Sequence, residues 1–240
     1  MDNRLKKFEI ISFTADKRQY YPASMERENW MPDSFVKHTE IKIHLGQSRY
    51  GGPVIDLPRG VDHPEDLRFA AQLDLAKFSP FDKTELLPKK GQLLFFANIS
   101  TNSGKVIYAD VPNESLVRII KEHDDNFFLG ILIDKIFSDT EKWEDRFRIP
   151  TDNWDLEHKN KDGKHWDYFA GSDKSKIFGI YTHCQYRQDE IERITFSDRV
   201  LLLQVGENGF NDEGVFSVTI DRIDLKNLNF DNCDFAWGQS

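Results

Sequence analysis

Sustained apolar runs in this chain are short. Phe69-Ala70-Ala71-Gln72-Leu73, Gln92-Leu93-Leu94-Phe95-Phe96, Phe127-Phe128-Leu129-Gly130-Ile131-Leu132-Ile133 and Val200-Leu201-Leu202-Leu203-Gln204-Val205 all lie between Gly, Pro, Asp or Asn. That length and punctuation favour strands over helices. In Glu40-Ile41-Lys42-Ile43-His44-Leu45 the apolar residues alternate with Lys42 and His44, the pattern of a half-buried strand. Helix signals are fewer. Asn113 is placed to cap a helix over Glu114 to Lys121, and Gln188 to Ile194 carries its acidic residues early. The expected fold class is strand-rich α+β with mainly antiparallel sheets.

Composition narrows the class further. With 240 residues, 39% of them hydrophobic, the chain is long enough to bury a core of its own, and one domain over 1–240 is expected. Cys184 and Cys233 are too few for a disulfide framework, and neither has the close second cysteine of a zinc or redox pair. No apolar stretch approaches the roughly 18 residues of a membrane span, and Met1 to Lys7 leads into Glu9 rather than a signal-peptide core. A cytoplasmic protein without membrane attachment is the expectation. Charge is uneven: residues 1–120 hold 17 Lys and Arg against 16 Asp and Glu, and residues 121–240 hold 15 against 25. No basic stripe marks a nucleic-acid partner. The acidic half suits a basic protein partner, although net charge away from zero also serves solubility alone.

Between Ser138 and Lys176 the strand pattern gives way to charged sequence dotted with Trp143, Trp154 and Trp166, which reads as a long surface excursion. On either side the chain repeats itself. The first copy, within 40–112, runs Ser48-Arg49-Tyr50-Gly51-Gly52-Pro53, Ala71-Gln72-Leu73-Asp74, then Gly91 leading a strand. The second, within 175–235, runs Lys176-Ile177-Phe178-Gly179-Ile180-Tyr181, Leu203-Gln204-Val205-Gly206, then Gly214 leading a strand. Two internally similar halves forming one body follow as an expectation. Gly51, Gly52 and Gly179 permit positive φ or close backbone approach, Pro53 interrupts a ladder, and Gly91 and Gly214 mark turns into strands. Gln72 and Gln204 sit in apolar strands, so their amides either pin neighbouring main chain or line a cleft.

With these residues the chain resembles the YwqG-like family of bacterial proteins of unknown function. The resemblance runs from about Lys42 to the C-terminus, on Ser48 to Pro53 with Leu57-Pro58-Arg59-Gly60, Ala71 to Leu75, Leu87-Pro88 and Phe95-Phe96. Leu201 to Gln204, Asp212 to Phe216, Asp224-Leu225, Phe230 and Trp237-Gly238-Gln239 extend it. His63-Pro64 stands where the family usually has Trp-Pro, and Gly179-Ile180-Tyr181 where its second copy often has Gly-Gly-x-Pro. The resemblance implies a compact, duplicated α+β fold and no established activity.

Motifs for chemistry are sparse. His158-x-Asn160-x-Asp162-Gly163 has calcium-loop spacing but Phe169 in place of the bidentate glutamate, and Gly171 to Ser175 ends like a phosphate loop without its glycines. Cys184 beside His183 reads as an inert thiol, since neighbours on a strand face opposite ways, and His38 and His44 lack a third ligand for a metal. Glu207, Asp212, Glu213, Asp221 and Asp224 read as an acidic rim. No cofactor or metal is expected, and the balance leans away from an enzyme. The leading expectation is a protein-binding module of immunity or antagonist type, with an acidic surface for a basic partner. The alternative is a small-molecule site between the halves, lined by Arg49, Gln72, Gln204 and Gln239.

Overall fold

A computed structural model describes residues 6–122, 128–143, 174–183, 185–206 and 214–239. Its strands in chain order are β1 (Lys7–Tyr21), β2 (Phe35–Lys37), β3 (Arg49–Tyr50), β4 (Val54–Pro58), β5 (Arg68–Asp74), β6 (Gln92–Asn98), β7 (Ser103–Ala109), β8 (Leu116–Ile120), β9 (Gly130–Lys142), β10 (Ser175–Ile177), β11 (Arg199–Val205), β12 (Gly214–Asp221) and β13 (Asp234–Gln239). Short helices α1 (Leu75–Phe78), α2 (Gln188–Thr195) and α3 (Arg222–Lys226) join them. Eleven strands form one sheet in the order β13-β12-β11-β10-β1-β9-β3-β5-β6-β7, with β2 added in parallel to β1, while β4 and β8 form a separate antiparallel pair.

The long β1–β9 ribbon is the spine of this sheet. It pairs from Lys7↔Lys142 to Tyr20↔Gly130, bending at irregularities between Thr14 and Gln19. Two four-strand wings leave it in opposite directions, β3-β5-β6-β7 on one side and β10-β11-β12-β13 on the other. Their outer edges come back together. Trp237 N donates to Asn102 Oδ1 at 3.1 Å, and Gly104 has no side chain where the ring of Phe235 packs. The sheet is therefore nearly closed, barrel-like and strand-rich.

Strand alternation divides the side chains. Tyr50, Ala71, Leu73, Leu93 and Phe95 from one wing and Ile177, Leu203, Val205, Phe216 and Val218 from the other fill the shared interior. The outer face of the first wing, through Phe69, Leu94 and Phe96, is covered by Ile55 and Leu57 of β4. The outer face of the second, through Leu201, is covered by Ile191 of α2 together with Trp143, Ile180 and Tyr181.

A few local contacts recur in the two wings. Arg49 pairs with Gln72, and Lys176 pairs with Gln204. The ladder slips between Phe69 and Ala71 in β5 and between Leu201 and Leu203 in β11, three residues before each glutamine at its start. Gly51 and Gly52 take φ of 63° and 85°, and Phe178 and Gly179 take 66° and 91°. Ser48 Oγ accepts from Asp74 N at 2.9 Å, and Ser175 Oγ accepts from Gly206 N at 3.1 Å. By these pairings Arg49 corresponds to Lys176, one position away from the sequence pairing of Arg49 with Ile177, and Phe178 takes a left-handed conformation where the other wing has a glycine.

Three expectations are corrected. Residues 114–121 are not a helix: Asn113–Ser115 make one 3₁₀ turn and β8 follows, because Val117, Ile119 and Ile120 are β-branched and β4 offers them a ladder. Residues 40–45 are not a strand: they join no ladder among the described residues, and the carbonyls of Ile43 and His44 accept from Arg118 instead. The excursion begins later than Ser138, because β9 runs to Lys142 and Trp143 is buried at 2% exposure. Trp154, Trp166, the His158 to Gly163 and Gly171 to Asp173 segments, Cys184, Glu207, Asp212 and Glu213 lie outside the described residues. β1, half of the spine, was not anticipated.

Candidate functional site

Arg49 is the centre of the most organised polar cluster. β3 is only two residues long and sits between β9 and β5, so Arg49, facing away from the apolar interior, enters the space beneath β4. It is fully buried. Its guanidinium donates to Asp56 Oδ2 at 3.0 Å, Gln72 Oε1 at 2.9 Å and the Val54 carbonyl at 3.1 Å, and also to the Gln47 carbonyl. Gln72 passes the chain on, donating to Gln92 Oε1 at 3.1 Å. Gln92 donates to Asn113 Oδ1 at 2.7 Å and the Gly46 carbonyl at 3.2 Å, and Asn113 donates to Asp74 Oδ2 at 3.2 Å. On the other side Arg118 of β8 grips both oxygens of Asp56, at 2.7 and 2.9 Å, and reaches the carbonyls of Ile43 and His44.

These contacts make a closed clamp. They tie β3, β5 and β6 of the sheet to β4, β8 and the turn at Asn113, and each polar side chain of this cluster bonds to another member of it. Burial pulls the Asp56 carboxyl upward, but the Arg118 hydrogen bonds, the Arg49 charge and the Gly46 N–H together outweigh it and hold the group below its ordinary value. Tyr20, packed over Gly52 and Gly130, is pushed up to about 12 by burial and stays a neutral phenol.

The second wing handles its cation differently. Lys176, 1% exposed, donates to Glu141 Oε1 and Oε2 at 2.6 and 2.7 Å and to the Ile180 carbonyl at 2.8 Å, while Ile180 N donates to Glu141 Oε2 at 2.9 Å. Gln204 is buried beside this pair and donates to the Lys174 carbonyl at 2.9 Å. Farther along, His183 stacks on Tyr186 at 3.9 Å, and burial pushes its imidazole down to about 4.

The structure therefore brings together Arg49 and Gln72 of the sequence-chosen residues and places Gln204 on the opposite wing. Gln239 pairs through its backbone with Gly214, and its side chain lies outside the described atoms. Gln204 pins main chain, whereas Gln72 is held by side chains of Arg49 and Gln92. Asp56, Gln92, Asn113, Arg118, Glu141 and Lys176 were missed as members of these clusters. Lys176 carried a signal, a cation directly before Ile177-Phe178. The seam between the wings holds other residues: a cavity of about 430 Å³ lined by Leu86, Lys90, Tyr108, Leu225 and Leu228. A larger groove of about 650 Å³ opens on the first wing among His63, Arg68, Asn98, Ser100 and Lys121.

A nearly closed antiparallel sheet, with a buried cation on each wing and a two-stranded cover over one of them, defines the architecture. Residues 48–238 match the model for a family described as Domain of unknown function (DUF1963), and the chain belongs to that family. No curated protein matches it. The matched segment starts at β3, so β1, half of the spine, comes from sequence before it.

Proposed function

We propose that the protein is a protein-binding module, cytoplasmic and bacterial, YwqG-like, and of immunity or antagonist type. Its wings are read as copies of one ancestral unit, which the matching registers, ladder slips and serine contacts support. The observation that carries the binding role is Trp30. This ring is 59% exposed, yet it is held in place by Nε1 donating to Glu28 Oε2 at 2.6 Å and by edge contact with Phe35 at 6.0 Å. A large aromatic that is both exposed and pre-positioned suits an interface anchor, because little side-chain freedom is lost when a partner covers it. Trp143, buried, leaves that role to others. The acidic residues of 121–240 attract a basic partner over long range. Affinity capture from the native cell extract tests the reading: a basic partner retained at low salt, weakened in about 0.5 M salt and lost with Trp30→Ala is expected. Capture of nothing under either condition overturns it.

The seam cavity favours a second reading, a small-molecule site between the wings, with Leu86, Tyr108, Leu225 and Leu228 in place of the residues chosen from sequence. A thermal-shift screen with millimolar metabolites separates the two, since a ligand for the cavity raises the unfolding temperature in the absence of any protein partner.

A further inference from the structure

The β4–β8 pair leaves a usable edge. Lys121 N donates to the Pro53 carbonyl at 2.9 Å, which fixes the phase of the ladder. The backbones of Val117, Ile119 and Lys121 face β4, and those of Leu116, Arg118 and Ile120 face away from it. Two observations agree with that phase. Pro58, opposite Leu116, has no N–H to offer, and the Val54 carbonyl, opposite Ile120, points away from β8 and accepts from Arg49. The Leu116 N–H is taken by the Asn113 carbonyl. Among the described residues, the N–H and C=O groups of Arg118 and Ile120 have no hydrogen-bond partner. Val117 and Ile120 are 43% and 39% exposed. A strand with four apolar residues of five and an open edge is what folded proteins usually block with lysine or proline.

Resting on the protein-binding reading, we propose that this edge takes up an extended, uncharged, β-branched segment of a partner protein as an added strand. The side chains of Val117, Ile119 and Lys121 share one face, and Lys121 also lines the 650 Å³ groove. Alternate side chains of the added strand descend into that groove, the arrangement by which strand addition gains specificity. Charge selects an uncharged segment: Arg118 is neutralised by Asp56, and the groove's lining carries Arg68 and Lys121 together with Glu65 and Asp66, so it presents no net charge of either sign. A second copy of the chain is a poor occupant, because five residues a side fall far short of the roughly 20–30 a stable interface uses. The acidic half steers the encounter and the edge holds the partner.

The probe is a synthetic peptide of alternating threonine and valine ending in lysines, added to the full chain and read by backbone amide hydrogen exchange. Protection of the Arg118 and Ile120 amides by about tenfold is expected, with the already bonded Lys121 amide unchanged. Ile120→Pro removes an outward N–H without touching the ladder to β4, and it abolishes that protection; where it fails to fold, Ile120→Lys serves the same purpose. Binding that leaves both amides unprotected, or no binding at millimolar peptide, overturns the proposal. Protection that appears without peptide as protein concentration rises makes a second copy the occupant and overturns it equally. Affinity capture that survives Ile120→Pro sinks the edge and leaves the binding-module reading standing.

Discussion

The two wings bury a cation at matching places and neutralise it by different chemistry. In the first, Arg49 has Asp56, and Asp56 has Arg118 as well, with three amide side chains extending the chain to Asp74. In the second, Lys176 has Glu141 and one backbone carbonyl. The acids come from unrelated elements, β4 in one case and the spine strand β9 in the other. What the wings share is thus the register that buries a cation opposite a glutamine. What differs is the cover laid over it, and the cover decides how the charge is met.

The comparison breaks most sharply when each acid is removed. Asp56→Ala strands a guanidinium that keeps its proton at any accessible pH, and a loss of about 3–5 kcal/mol is expected, the cost typical of a buried charge without its partner. Glu141→Ala strands an amine that sheds its proton when buried alone. In that variant the folded state then holds fewer protons than the unfolded state, so its stability rises with pH toward the ordinary lysine value. Denaturation midpoints at pH 7 and pH 9.5 check this. The Glu141→Ala deficit shrinks at the higher pH and the Asp56→Ala deficit persists; equal recovery of both discards the distinction.

A smaller effect separates the glutamines. Gln72→Leu removes the acceptor of a fully buried Arg49 N–H and the donor to Gln92, and about 1–3 kcal/mol is expected for buried groups left unmatched. Gln204→Leu frees the carbonyl of Lys174, a residue exposed to solvent, and water replaces the lost donor. Its cost is therefore below that of Gln72→Leu, and chemical denaturation of both variants showing the reverse order removes the clamp's claim to be the stiffer of the two.

How much of this was legible in the sequence depends on whether the cause was local. β5, β6 and β11 were, because short apolar runs between turn residues are themselves the cause of those strands. β8 was not: Asn113 and Glu114 make a credible helix start, and only the presence of β4, some 60 residues earlier, turns Val117 to Ile120 into a strand. β1 was hidden because its middle, Asp16 to Arg18, is polar where the ribbon bends. The same reasoning covers the site. Gln72 and Gln204 stood out as amides in apolar strands, while Asp56 and Arg118 did not, since nothing near either one announces a partner across the fold.

Acid distinguishes the wings at a finer scale. His183 belongs to the second wing, and its folded value of about 4 lies below the ordinary 6.5 because burial disfavours the imidazolium. As pH falls through 6.5 the unfolded chain takes up a proton that the folded chain does not, so stability declines from there until about pH 4, where the folded histidine also titrates. Asp56 in the first wing behaves in a lower window. Its folded value is depressed, so its contribution is complete above the ordinary carboxylate value of 3.8 and is lost only as pH drops through the folded one. His183→Phe keeps the stacking on Tyr186 and removes the titrating nitrogen. Urea midpoints measured from pH 7 to pH 4 are expected to fall less steeply for this variant than for the parent chain, whereas Asp56→Asn is expected to lower the midpoint throughout that range and to alter the slope only below it. A His183→Phe profile parallel to the parent's would mean that the second wing's histidine exerts no such control.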